Sequence, residues 1–300
     1  MNSRPVPLAL AFGACCVGVA LFSVMDAVMK GLSLAIGVYN ALLWRALAGT
    51  VIGIVGMVVL SNPWPVREVL KIHMLRGSVV AVMALFFFYG IKILPLAEAI
   101  GLSFIAPLIA LYLAALILKE RIGRNAIAAS VLGLIGVGVI LSGRLRGDYD
   151  PQAVLGAGAV LFSAVLFAWN LILQKQQAGV ASPVEVAFFQ HLVMLIVFGA
   201  FSPLLAVVPT ANHLPMILGA AALAFASLMF MSWGYARAEA QKLIPVEYSA
   251  FVWAAIMGWL FFAERLTITT LAGTVLIVTG CLIAARRDPQ ITAHVEGSAS

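Results

Sequence analysis

Long apolar runs, broken by short stretches of charge, proline and glycine, fill the chain from residue 8 to residue 285. Leu8 to Met25, Ala126 to Gly143 and Val154 to Gln174 contain no charged residue. Each reaches the roughly 18–20 residues needed to cross about 30 Å of hydrocarbon at 1.5 Å per residue. In lipid the backbone polar groups must be satisfied within the segment, so such runs predict helices. Spans are predicted near 8–30, 38–60, 71–90, 95–118, 126–143, 154–174, 184–205, 214–236, 245–263 and 269–285. The fold expected is an all-α membrane protein of ten transmembrane helices. Arg4 ahead of an apolar stretch, with Ala14, Cys15 and Cys16 behind it, suggests a cleavable signal. The run continues to Met25, however, which is too long for a signal core and right for a span.

Composition agrees and removes other classes. Hydrophobic residues make up 63% of the chain and charged residues 10%, and the mean hydropathy is +1.09. A soluble domain is about 45–50% apolar and about 25% charged. Cys15, Cys16 and Cys281 fall inside predicted helices without metal-ligand spacing, so they read as packing residues, and no metal or cofactor is expected. No His-Glu zinc motif, paired intramembrane aspartates or serine-histidine dyad argues for an enzyme. The net charge of +6 is scattered over the loops, which indicates membrane orientation and no nucleic-acid partner. With the N-terminus inside, twelve basic residues from Arg4 to Arg287 face the cytoplasm, while Lys30, Lys92, Arg144, Arg146 and Arg265 face out. Both termini are therefore expected in the cytoplasm. Residues 144–153 read as a linker between halves, and the polar residues 288–300 as a disordered tail.

The two halves, 8–143 and 154–287, repeat one another at an offset of about 144–146 residues. Glu120-Arg121 matches Glu264-Arg265, and Gly136 matches Gly280. Tyr89-Gly90 matches Trp233-Gly234, Phe22 and Lys30 match Phe167 and Lys175, and Arg45 falls opposite His191. Five spans in each half force the second copy to enter the membrane upside down, giving an inverted repeat with a site expected near the midplane.

Two such repeats, each with a glutamate-arginine pair after its fourth helix and a glycine-bearing fifth helix, resemble the EamA-type carriers of the drug/metabolite transporter superfamily. The stretch from Phe22 through Asp26 to Lys30, the following Arg45, and Pro107 are also similar to the family, whereas the second repeat has Phe251 in place of that proline and carries Pro245 earlier. The resemblance implies a secondary carrier, commonly an exporter of amino acids or related metabolites. It also implies a central cavity lined by helices 1, 3, 4, 6, 8 and 9.

A charge at the centre of a membrane helix costs about 2.5–3.5 kcal/mol on insertion scales, so each one needs a partner or a wet cavity. Asp26, Arg45 and Lys30 are expected to cluster as an outer gate or, equally, as a static ion pair. Asn170, Lys175, Gln190 and His191 occupy the corresponding place on the cytoplasmic side and are candidates for an inner gate, although a lone histidine more often packs than relays protons. Tyr89, Phe104, Trp169, Asn170, Trp233, Tyr248, Ser249 and Trp253 are the candidates for substrate contact, with simple aromatic packing as the alternative for any one of them. Gly49 and Gly53 form a small-residue pair that lets helices approach closely. The reading is an exporter of a small metabolite, foremost aromatic or medium apolar amino acids, acting by alternating access in a bacterial inner membrane. A riboflavin-like vitamin importer and a non-transporting membrane protein are the alternatives. A monomer is expected, with a dimer allowed by the small-residue pairs.

Overall fold

The computed structural model describes residues 8–106, 108–110, 112–113, 124–145, 151–237, 246 and 249–285. Glu120, Arg121, Pro107, Pro245, Tyr248 and the tail 288–300 lie outside the described residues. All regular structure among the described residues is helical. Ten helices of eight residues or more follow in order: α1 (Leu8–Ile36), α2 (Val38–Val59), α3 (Arg67–Ile93), α4 (Leu96–Ser103), α5 (Arg124–Leu145), α6 (Pro151–Ala178), α7 (Pro183–Gly199), α8 (Leu214–Tyr235), α9 (Ser249–Phe262) and α10 (Ile268–Ala285). Among the described residues, five stretches are long and apolar enough to cross a membrane: Ala9–Ile36, Val38–Val59, Arg67–Ile93, Pro151–Ala178 and Ala211–Tyr235. Five shorter apolar helices accompany them.

Local chemistry sets several boundaries. Gly37 has φ of 80°, a conformation open to glycine, and this single residue turns α1 into α2. Ser182 caps α7 by accepting from the Glu185 N–H at 3.3 Å, with Pro183 in the first turn. Helix α1 runs to Ile36, past the expected stop near residue 30, because Lys30 finds a partner inside the protein. Helix α7 ends at Gly199, earlier than expected, and residues 206–210 run extended along α2. There the Val207 N–H donates to Asn40 Oδ1 at 2.8 Å, and Trp44 Nε1 donates to the Val207 carbonyl at 2.9 Å.

Packing joins the halves closely. The most extensive helix contacts are α5 with α10, α3 with α6, α1 with α8, and α2 with α7. Glycines mark the crossings, as expected where backbones approach closely without a hydrophobic drive between helices. Gly90 of α3 faces Val160 and Gly156 of α6, while Gly234 of α8 faces Cys15 and Ala11 of α1. The repeated glycine found in the sequence thus performs the same task twice. Gly49, Gly53 and Gly56 of α2 meet His191, Phe188 and Val184 of α7, so these two helices run antiparallel. Gly136 and Gly143 of α5 meet Gly273 and Thr269 of α10, again antiparallel.

Candidate functional site

A cavity of about 250 Å³ opens between the halves. Residues from α1, α2, α3, α4, α6, α7, α8 and α9 line it, while α5 and α10 pack on each other to one side. On α1, Val19, Phe22, Met25 and Asp26 fall on the cavity side at helical spacing. Helix α3 supplies Arg76, Val80, Met83 and Phe87 at the same three- and four-residue intervals. Phe104 from α4 and Phe167 from α6 complete an apolar middle. Helices α2 and α7, not anticipated as lining helices, each contribute one polar residue, Arg45 and Gln190.

The repeat is visible in the wall itself. Phe22 and Phe167 both line it, as do Met83 and Leu228, and Arg45 and Gln190. Gln190, not His191, is therefore the residue that stands to α7 as Arg45 stands to α2. The His191 ring instead fills the space over Gly49, with Nδ1 2.9 Å from the Ala187 carbonyl of its own helix, and lies 6.1 Å from the Phe225 ring. It packs the α2–α7 crossing.

Arg45 is 5% exposed. Its Nη1 reaches only the Met25 sulfur at 3.3 Å, the guanidinium stands 5.6 Å from the Phe88 ring centre, and Nε is buried without an acceptor. Asp26 borders the same cavity, yet the ion pairs found among the described residues are Lys30–Glu264 and His73–Glu185. Asp26 and Arg45 thus share the cavity without touching.

Lys30 does not complete that cluster. It turns away from Asp26, pairs with Glu264 and donates to the Leu94 carbonyl at 2.7 Å. Glu264 Oε2 accepts the Leu96 N–H at 2.8 Å. Ala263, at φ 52°, and the Glu264 N–H bonded to the Gly258 carbonyl bend the α9–α10 turn so that this carboxylate reaches α1. The latch lies beyond Asp26, toward the C-terminal ends of α1 and α3.

A second network lies at the opposite end, toward the start of α3. Arg76 Nε donates to Asn170 Oδ1 at 2.9 Å, and its Nη1 donates to Gln177. Gln177 also meets His73, whose Nε2 is 2.8 Å from Glu185 Oε1. Asn62 lies 3.4 Å from Glu185 and accepts from Ser182 at 2.7 Å. Of this set the sequence reading singled out Asn170 alone. Arg76 lies within the predicted span 71–90 although it is one of the twelve basic residues assigned to the cytoplasmic side, and His73, Arg76, Val80 and Met83 carry a helical stripe that places it inside.

Residues 9–142 and 154–286 each match the EamA-like transporter family. The chain belongs to the EamA-like transporter family. Among its relatives, the pseudopaline exporter CntI of Pseudomonas aeruginosa (strain UCBPP-PA14) is 27% identical over 270 residues, covering 88% of this chain and 92% of that protein. The S-adenosylmethionine uptake transporter of Rickettsia prowazekii (strain Madrid E) is 26% identical over 211 residues, 70% of each chain. A crystal structure at 20% identity superposes with a TM-score of 0.61 over 94% of this chain and 99% of its own, which shows a shared fold. Family and relatives alike are transporters, not enzymes.

In this EamA-like chain the expected substrate contacts divide. Phe104 and Asn170 line the cavity. Tyr89, Trp169 and Trp253 are 42%, 41% and 37% exposed and lie off its wall. Trp233 carries Arg237 over its ring at 4.3 Å, and Ser249 donates to the Val246 carbonyl at 2.6 Å. The reason is general: a helix bathed in lipid is apolar on all sides, so aromatic residues do not mark its inner face. Tyr39 donates to the Phe198 carbonyl at 2.6 Å, and Trp64 stacks edgewise on Phe189.

Proposed function

We propose that the protein is a secondary transporter of the bacterial inner membrane that exports a small amino-acid-type metabolite by alternating access. The charged cavity carries this reading. Eight helices drawn from both halves line it, it holds an acid and two arginines, and a polar network lies beyond each end. Such groups are tolerated at membrane depth where they face a cavity or one another. A volume of about 250 Å³ suits a small metabolite, since sites for drug-sized ligands run from about 300 Å³ upward.

Ten spans arranged as two inverted five-helix repeats are supported by the antiparallel packing of α2 on α7 and of α5 on α10, and by the reciprocal contacts α3–α6 and α8–α1. The distribution of basic residues supports cytoplasmic termini. On that orientation the Lys30–Glu264 latch closes the outer end and the Arg76–Gln177–His73–Glu185 network the inner end. Rocking of one half on the other breaks them in turn. The Gly49–Gly53 face is occupied by α7 of the same chain, which supports a monomer. Phe22, Phe88, Phe104 and Phe167 offer apolar surface for an aromatic or medium apolar side chain.

Export is adopted from the pseudopaline exporter, whose match covers the larger share of this chain. Uptake is the second reading, favoured by the S-adenosylmethionine uptake transporters of Rickettsia. The path itself is tested by sided labelling. In a chain with Cys15, Cys16 and Cys281 replaced by alanine, Ser103→Cys places one thiol on the cavity wall. A membrane-impermeant thiol reagent is expected to reach it in both right-side-out and inside-out vesicles. Labelling from one side alone would contradict alternating access.

A further inference from the structure

The unpaired charges of the cavity point to one chemical class of cargo. Arg45 is a buried residue whose guanidinium donates to a thioether and lies over a phenyl ring, with no oxygen acceptor in a hydrogen bond to it among the described residues. Its Nε has no acceptor among the described residues. The counter-charge within the cavity, Asp26, is not in contact with this guanidinium, and an anion that arrives with the cargo supplies the direct partner a buried cation otherwise lacks. Asp26, on the facing side of the hairpin turned by Gly37, has no hydrogen bond or ion pair among the described residues, because Lys30 is committed to Glu264. The other arginine is already served: Asn170, Gln174 and Gln177 accept from Arg76, and Glu185 stands behind Gln177 and His73.

We infer that Asp26 and Arg45 are a split ion pair that receives the head of an α-amino acid, the carboxylate on Arg45 and the ammonium on Asp26. A direct Asp26–Arg45 pair would satisfy both groups and leave nothing for a ligand. Out of contact on the lining of one cavity, they offer an anion and a cation to a molecule that carries both opposite charges. Charge-assisted hydrogen bonds to both ends then select the zwitterion over molecules with one charge. Phe22 and Phe88 flank the two anchors and direct the side chain of the cargo toward the apolar middle. The assignment rests on the transporter reading of the same cavity.

The test compares matched trios on purified full-length protein, by thermal stabilisation in detergent. The trios are L-leucine, 4-methylpentanoate and isoamylamine, and L-phenylalanine, 3-phenylpropanoate and 2-phenylethylamine. At least one amino acid is expected to stabilise the wild type with an affinity at least about tenfold above both of its single-charge analogues. Asp26→Asn should bring the acid analogue to within about twofold of the amino acid, and Arg45→Gln should do the same for the amine. The wild-type comparison stands even where a variant fails to fold. Equal binding of all three members of a trio, or stabilisation by no amino acid, overturns the assignment. Counterflow keeps the two readings apart. Discriminating binding without exchange would remove the transporter and leave the head-group site, whereas exchange of riboflavin without amino-acid binding would do the reverse.

Discussion

Gly136→Ala is expected to lower the unfolding midpoint by roughly 5–10 °C, while Gly138→Ala two residues away leaves it unchanged or slightly raised. A β-carbon at Gly136 would stand 2.6 Å from the Gly273 carbonyl oxygen, and one at Gly273 would stand 2.5 Å from the Gly136 oxygen. Both obstacles are backbone, so no rotamer change relieves the clash, and α5 and α10 must separate along their whole contact. Overpacking of this kind costs about 1–3 kcal/mol. Gly138 has nothing within 4 Å, so alanine there gains helix propensity, about 0.5–1 kcal/mol, without a collision. Fluorescence-detected size exclusion after heating measures both. Equal loss in the two variants would mean that helix flexibility, not the crossing, is what these glycines provide.

Breaking the outer latch from one side should be worse than removing it. Lys30→Met leaves Glu264, whose side chain is 17% exposed, with the Leu96 N–H as its remaining partner in the latch. Glu264→Met leaves the Lys30 ammonium, 6% exposed, on the Leu94 carbonyl and 5.1 Å from the Phe262 ring centre. Each single change is expected to cost about 3–5 kcal/mol, as for other buried pairs opened from one side. The double variant Lys30→Met/Glu264→Met should recover a large part of that loss, because no charge is then stranded. Its recovery is incomplete, since the Leu94 carbonyl and the Leu96 N–H lose their side-chain partners, each worth about 1–3 kcal/mol when buried. Folded yield and melting temperature of the four proteins close the cycle. Additive losses would show that the two residues act independently.

How much of this was legible in the sequence depended on the kind of signal. Helical spans and the repeat are written in hydropathy and spacing, and Gly90 and Gly234 proved to be equivalent crossings of α3 on α6 and α8 on α1. Asp26 and Arg45 stood out because a charge inside a span is expensive, and both line the cavity. The partner of Lys30 did not stand out. Glu264 lies 234 residues away, and nothing local distinguishes a carboxylate that caps a helix from one that crosses to the other half. Arg76 and Glu185 were hidden by their nearness to span ends, where the count of basic residues treats charge as a boundary mark. Trp169 and Trp253 stood out in the sequence yet lie off this cavity's wall, because a bulky aromatic side chain is as stable against lipid as inside a bundle.

A carrier that binds its substrate in this cavity exchanges it across the membrane, and counterflow measures that exchange. Proteoliposomes of the purified protein are loaded with an unlabelled amino acid and diluted into a trace of the labelled one, with leucine, phenylalanine, glutamate and riboflavin as the panel. Transient, saturable accumulation of a labelled amino acid above its outside concentration is expected, absent from protein-free vesicles and lost in Arg45→Gln. Equilibration without overshoot, at a rate linear in concentration and unchanged by Arg45→Gln, would contradict a carrier and describe a pore.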